Sequence, residues 1–408
     1  MDKKRVLFFS GSIGLGHVQR DIAIARELGR LADVEIAWLA ASPADRVLRD
    51  AGENVLAESE RLANDSEVAE GLSRGGRLNL VGYIGSARGH WLRNIGVVDR
   101  LMAVGGFDLL IGDETYELAL AHRKNPNRWG RPFVMIYDFI GAEPTSRRPL
   151  ERLGVYVLNV MWSRKAATGA RGRLNLFIGE EGDVPETRFG FGLPGRRAWA
   201  RGNCRFVGYV LSFDPWDYVD RGALRARLGL DASPLVVCAI GGTSIGRELL
   251  DLCAQAYPAA RARIAGLRMI LVCGPRLDPG SLKIPAGVEV RGYVPALHEH
   301  LAACDLAIVQ GGGSVTLELT ALRRPFIYFP IEGHFEQEIT VAGRLRRHGA
   351  GVRLRASTTT PADLADAIAA NIGRPVSYAN ILTDGARRAA EHIAELVGAR
   401  RECDSLGH

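Results

Sequence analysis

Short apolar runs recur along the chain, and most of them end in glycine, proline or an acidic residue. In the first half they fall at residues 6–9, 34–39, 107–112, 132–137 and 174–178. In the second half they fall at 235–240, 269–272, 288–290, 306–309 and 326–329, with a last short one at 349–352. Runs this short, mostly apolar and bounded by turn residues, read as strands of a parallel sheet covered on both faces. Between them lie stretches with apolar residues three and four apart, which read as helices. These are 18–31, 43–51, 80–104, 147–165, 220–228, 247–257, 337–347, 361–372 and 379–397. Strand and helix in alternation predict an α/β protein. Residues 53–79 and 183–205 carry no such period and read as irregular excursions, and the polar tail from 400 onward reads as disordered.

Three of the strands run into glycine turns that open helices: residues 10–17 (SGSIGLGH), 241–246 (GGTSIG) and 310–314 (QGGGS). Glycine lets a backbone approach a ligand closely, and the free N–H groups of a helix start attract anions. The first turn has the spacing GxxGxG, so it is not the dinucleotide fingerprint GxGxxG. Two well-separated units of this kind predict two Rossmann-like halves facing a cleft, and 408 residues suffice for two cores. The expected division is 1–207 and 208–408, with a hinge over about 207–215.

Candidate chemistry gathers at the strand ends. His17 closes the first glycine turn; imidazole has an ordinary pKa near neutrality and suits a general base, though a helix cap is the alternative. Asp113 ends a strand where open sheets bind ligands, and either belongs to a site there or caps the helix from Thr115 onward. Glu114 is a substitute for it. Asp138 lies on the same ridge, facing either a substrate or solvent. Glu318 sits in the helix after the third glycine turn, within reach of whatever the turn holds.

Composition narrows the classes. The net charge of +6 is spread along the chain, with no basic run interleaved with aromatics, so a nucleic-acid partner is not expected. The six cysteines form no CxxC pair and have no histidine at metal-ligand spacing, which predicts reduced thiols, a cytoplasmic setting and no metal. No stretch is long enough to span a bilayer. The segment 147–165 has an apolar arc with Trp162 and basic flanks, so it is either a core helix or a peripheral contact with the inner face of a membrane.

The order Val294-Pro295, Gly311-Gly312-Gly313-Ser314, Glu318, Arg324-Pro325, Pro330, Glu336-Gln337 resembles the donor-sugar signature of GT-B glycosyltransferases. It is similar to the UDP-glycosyltransferase and bacterial lipid-linked N-acetylglucosaminyl transferase families. The resemblance implies a nucleoside diphosphate sugar held by Gly242, Thr243, Ser244, Val294, Gly311, Gly312, Gly313, Ser314, Val315, Glu318, Glu336 and Gln337. Within that set it gives Glu318 the ribose, the glycine turns the diphosphate, and Glu336-Gln337 the sugar hydroxyls. It implies His17 as base with Asp113 as partner, and Gly14, Gly16 and Asp138 on the acceptor side. It also implies an inverting, metal-independent transfer without a cofactor, and a final helix that crosses back onto the first domain. The chain departs from the plant members in carrying Gln310 where they have His, and Ala296 where they have Gln. Two rivals share the donor site: a UDP-N-acetylglucosamine 2-epimerase-like enzyme and a non-catalytic sugar-nucleotide-binding subunit. The acceptor is a small molecule or a lipid.

Overall fold

The computed structural model describes residues 3–11, 15–63, 73–74, 77–78, 80–164, 172–242 and 246–398. The first domain begins β1 (Lys4–Phe9), α1 (Leu15–Leu31), β2 (Val34–Leu39), α2 (Ala44–Asp50), then a small hairpin of β3 (Ser73–Arg74) and β4 (Arg77–Leu78). It continues α3 (Leu80–Val104), β5 (Leu109–Asp113), α4 (Tyr116–Lys124), β6 (Phe133–Tyr137), α5 (Pro149–Ser163), β7 (Arg173–Ile178), α6 (Arg196–Asn203) and β8 (Arg205–Gly208). The second domain runs α7 (Arg221–Arg227), β9 (Leu235–Ala239), α8 (Arg247–Arg263), β10 (Arg268–Val272), β11 (Val288–Arg291), α9 (Leu297–Ala303) and β12 (Leu306–Gln310). It ends α10 (Gly313–Ala321), β13 (Phe326–Phe329), α11 (Ala342–His348), β14 (Val352–Arg353), α12 (Pro361–Asn371) and α13 (Gly385–Val397).

Each domain holds one parallel sheet, in the orders β2-β1-β5-β6-β7-β8 and β11-β10-β9-β12-β13-β14. Strands β5, β6, β9 and β12 are buried along their whole length. That is why they read as unbroken apolar runs: helices cover both sheet faces and leave no polar side. In each sheet the strand order reverses once beside the first strand, between β1 and β5 and between β9 and β12. Ligands of open α/β sheets bind at such switch points, beyond the carboxyl ends of the strands. The helix α13 is amphipathic, and Ala389, Ala390, Ile393, Ala394 and Val397 join the first domain's core beside Val18, Ile22 and Ala25 of α1.

Several boundaries differ from the sequence reading, each for a local reason. The final helix starts at Gly385 rather than near 379. The residues before it are taken up as a second crossover: Ala379 N donates to His348 O, Tyr209 N to Leu382 O, and Gly385 N to Tyr209 O. Helix α8 continues past 257 through Pro258 to Arg263. Proline removes one helical hydrogen bond, but burial of Ala256, Tyr257 and Ala260 on either side holds the turn. The stretch 183–205 is not wholly irregular, since α6 forms there with Arg196, Trp199 and Ala200 buried at helical spacing. Its three arginines masked the period. The helix expected over 337–347 opens as a wider turn, Glu336–Val341, before α11. The tail from 400 onward and parts of the 53–79 excursion lie outside the described residues.

Candidate active site

The two switch points face each other across the gap between the domains. Gly16, at the opening of α1, abuts Ser314, at the opening of α10: a Cβ built on Gly16 would lie 2.1 Å from Ser314 Oγ. Any side chain at position 16 would wedge the domains apart, so closure depends on glycine there. Beside this contact lies a cavity of about 430 Å³, a size suited to a small molecule. Gly16 and His17 line it from the first domain. Gly242, Val294, Gly312, Gly313, Ser314, Val315, Glu318, Glu336 and Gln337 line it from the second.

The geometry sorts the remaining expected residues. Asp113 and Asp138 stand behind His17 rather than on the cavity wall. Gly311 is also off the wall: its missing Cβ would lie 2.9 Å from Pro330 Cα, so this glycine serves the close passage of the chain at the end of β13. Gly14, Thr243 and Ser244 lie outside the described residues. Tyr293, His298 and His334 line the cavity and were not singled out by the sequence. His298 stacks on Phe213 with centroids 4.2 Å apart and pairs with Tyr218 Oη at 3.0 Å. Burial lowers its pKa, which keeps it neutral.

His17 is held by carboxylates from β5. Its Nδ1 is 3.1 Å from Asp113 Oδ2, and its Nε2 is 3.6 Å from Glu114 Oε2. Asp113 is fully buried and does not cap α4; the N-cap residue is Thr115. Arg20 donates to Asp113 Oδ1 at 2.5 Å and to Asp138 Oδ2 at 3.1 Å. Glu114 takes a positive φ of 50°, rare for a residue with a side chain, which turns its carboxyl toward His17. Burial, then the charge of Asp138, pushes the Glu114 pKa well up. Burial alone would raise Asp138 as well, but the hydrogen bond from Glu114 and the charge of Arg20 bring it below the usual carboxylate range. Glu114 Oε1 and Asp138 Oδ1 are buried without an ordinary donor, and one proton carried by Glu114 and shared with Asp138 answers both.

Among the described residues, the one group that could hold a metal ion is His17, Glu114 and Asp138, with ligand atoms within 4.8 Å of one another. The donors fit a cation poorly. The Arg20 guanidinium already occupies Asp138, and a second positive centre beside it would be repelled.

On the opposite wall, α10 starts at Gly313 with Gly312 as N-cap and no side-chain cap, so its first N–H groups face the cavity unfilled. Burial raises Glu318 to about 7. Burial and the charge of Asp138 raise Glu336 to about 7 as well. Gln337 Oε1 accepts from Ile331 N at 2.9 Å, which fixes the loop that carries Glu336. The departure at Gln310 has a structural account. In the orientation that satisfies both ends of its amide, it donates to Ile240 O at 2.5 Å and accepts from Gly246 N at 3.1 Å. It therefore braces the neighbouring glycine turn. Ala296 is in the left-handed region (φ 50°) as N-cap of α9, also on the cavity wall.

Known structures share this architecture. The solved glycosyltransferase SnogD from Streptomyces nogalater superposes with a TM-score of 0.57 at 18% identity, over 97% of this chain and all of that one (100%). The fold is GT-B. Residues 236–393 match the glycosyltransferase family 28 C-terminal domain. A UDP-N-acetylglucosamine–N-acetylmuramyl-(pentapeptide) pyrophosphoryl-undecaprenol N-acetylglucosamine transferase of Clavibacter michiganensis subsp. michiganensis is 26% identical over 327 residues, 76% of each chain. An uncharacterized glycosyltransferase of Methanopyrus kandleri is 27% identical over 191 residues, 46% of this chain and about half (53%) of that protein.

Proposed function

We propose that the protein moves a sugar from a nucleoside diphosphate sugar, with UDP as the nucleotide, to a hydroxyl acceptor, inverting the anomeric carbon. The observation that carries this is the single cavity with an imidazole on one wall and, on the other, a carboxyl beside an unfilled helix start. Glu318 binds the ribose hydroxyls. The N–H groups of Ser314 and Val315 and the Gly242 turn hold the diphosphate. Glu336 and Gln337 hold the sugar. His17 Nε2 takes the proton of the acceptor hydroxyl while Asp113 steadies the resulting imidazolium. The acceptor oxygen attacks the anomeric carbon from the His17 side as the bond to the diphosphate breaks on the α10 side. The α10 start stabilises the departing negative charge, so the reaction runs without a cofactor or a metal.

A lipid-linked acceptor at a membrane surface is favoured over a soluble one by the outer face of α5. Leu150, Leu153 and Val157 there are 74%, 59% and 48% exposed, and neighbouring Phe191 is 95% exposed. Arg147, Arg148 and Arg152 flank this face, a composition that suits an anionic lipid surface. The inner side of the same helix reaches the site through Val155 and Leu158, which pack with Phe335 of the Glu336 loop. Among the described residues no helix is long and apolar enough to cross a membrane, and the proposed contact is peripheral. The Clavibacter relative is named for an undecaprenol-linked acceptor.

A thermal-shift screen of nucleotide sugars tests the donor, since a ligand that binds the folded state raises its apparent stability. Product analysis with the best donor then separates the readings. A transferase needs an added acceptor and loses turnover in His17→Ala while keeping donor affinity. Consumption of the donor alone would establish an epimerase, and binding without turnover a carrier subunit.

A further inference from the structure

We propose that Arg20 is a positioning residue of the reaction, locking Asp113 so that His17 keeps its proton on Nδ1 and its Nε2 bare. This rests on the reading of His17 as the base. Arg20 follows His17 by three residues on α1, so the two side chains leave the same helix face. Arg20 is 7% exposed, and a buried guanidinium is expensive unless acids meet it. Two do, from different strand ends: Asp113 Oδ1 at 2.5 Å and Asp138 Oδ2 at 3.1 Å.

Asp113 is thus divided. Oδ1 belongs to Arg20 and Oδ2 faces His17 Nδ1 at 3.1 Å. With one oxygen pinned by a cation the carboxylate cannot rotate, and its other oxygen accepts only. That sets the imidazole proton on Nδ1 and leaves a bare lone pair on Nε2, 3.6 Å from Glu114 Oε2, the tautomer a base requires. The assignment follows from the hydrogen-bond network.

Arg20 also balances charge. Asp113 and Glu114 from β5, Asp138 after β6 and Glu336 from the second domain all face His17. Asp21 lies behind them, its hydroxyl partner being Ser10 at 2.6 Å. Burial, and then the charge of Asp113, raises the Asp21 pKa. Arg20 offsets these acids from within the cluster, and Arg344 offsets Glu336 from the second domain.

The test is imidazole nitrogen NMR of the full chain labelled with 15N-histidine, from pH 5 to 9, with His17 assigned by its loss in His17→Gln. The wild-type ring should show a protonated Nδ1 and a bare Nε2. In Arg20→Gln the tautomers should mix. Arg20→Lys should also leave the tautomers mixed, because its rotatable ammonium lacks the rigid planar fork that pins Asp113 against Asp138. The other histidines report the fold. A wild-type tautomer in Arg20→Gln, with those signals intact, overturns the inference. If Arg20→Gln does not fold, a pure wild-type tautomer in Arg20→Lys overturns it instead. Transfer that survives in His17→Ala would sink the base reading alone, whatever the NMR shows for Arg20.

Discussion

At the scale of residues, the site's most testable feature is the raised pKa of Glu318. Burial places it at about 7, so at pH 6 the empty site holds a neutral carboxyl. Ribose hydroxyls donate better to a carboxylate, so nucleotide binding must expel the proton. Affinity should therefore climb with pH, by roughly tenfold per unit below 7, and level off above it. UDP binding measured by calorimetry from pH 5 to 8 checks this. UDP lacks the sugar that Glu336 would meet, and its own phosphate titration is common to both proteins compared. Glu318→Gln should bind more weakly at pH 8 and show a flatter profile. Equal profiles in the two proteins would remove Glu318 from the ribose contact. His17, Asp113 and Glu318 were legible in the sequence, because each sits beside a glycine turn or at a strand end. Arg20 was not. Its partners Asp113 and Asp138 lie 93 and 118 residues away in the chain, and only the β1–β5–β6 neighbourhood brings them together.

At the scale of elements, the buried strands were legible because full burial leaves an unbroken apolar run. Helices whose hydrophobic period is diluted by arginine, such as α6, were not. The segment of α5 shows a subtler limit. Its apolar arc was visible in the sequence, but periodicity cannot say whether an arc faces the core or solvent. The structure buries Val155, Asn159 and Ser163 and leaves Leu150, Leu153 and Val157 outside. If that face meets lipid, the protein should co-sediment with anionic vesicles and less with zwitterionic ones. Leu153→Glu should weaken the anionic binding by roughly tenfold, the worth of one buried leucine. It should leave nucleotide affinity unchanged, since position 153 is remote from the cavity wall. Undiminished vesicle binding in that variant would detach α5 from the membrane proposal.

At the scale of the whole molecule, the closed arrangement is held by a polar knot at the crossover. Tyr209 Oη lies 2.7 Å from Asp183 Oδ2 and 2.8 Å from His348 Nε2. Arg347 donates to Asp183, Glu180 and Tyr209 at 2.6, 2.6 and 2.7 Å. The knot joins the first domain, the linking strand and α11. Burial would raise Asp183, yet Arg344, Arg347 and Tyr209 hold it below the usual carboxylate range. A depressed carboxylate stabilises the folded state above its unfolded pKa, and that support is lost as pH falls through the folded value. Tyr209→Phe should therefore cost about 1–2 kcal/mol at neutral pH by urea unfolding, and less in acid. An unchanged midpoint at both pH values would make the knot incidental. None of this was legible from the sequence, since Glu180, Asp183, Tyr209 and Arg347 carry no shared motif.

The central claim is that the second domain grips the nucleotide while His17 waits across the cavity. A crystal structure of the protein soaked with UDP tests it most directly. The account predicts the ribose within hydrogen-bond distance of Glu318, the diphosphate on the N–H groups of Ser314 and Val315, and the His17 ring facing the terminal phosphate. Nucleotide bound on the first domain, or a ring turned away from it, would contradict the account.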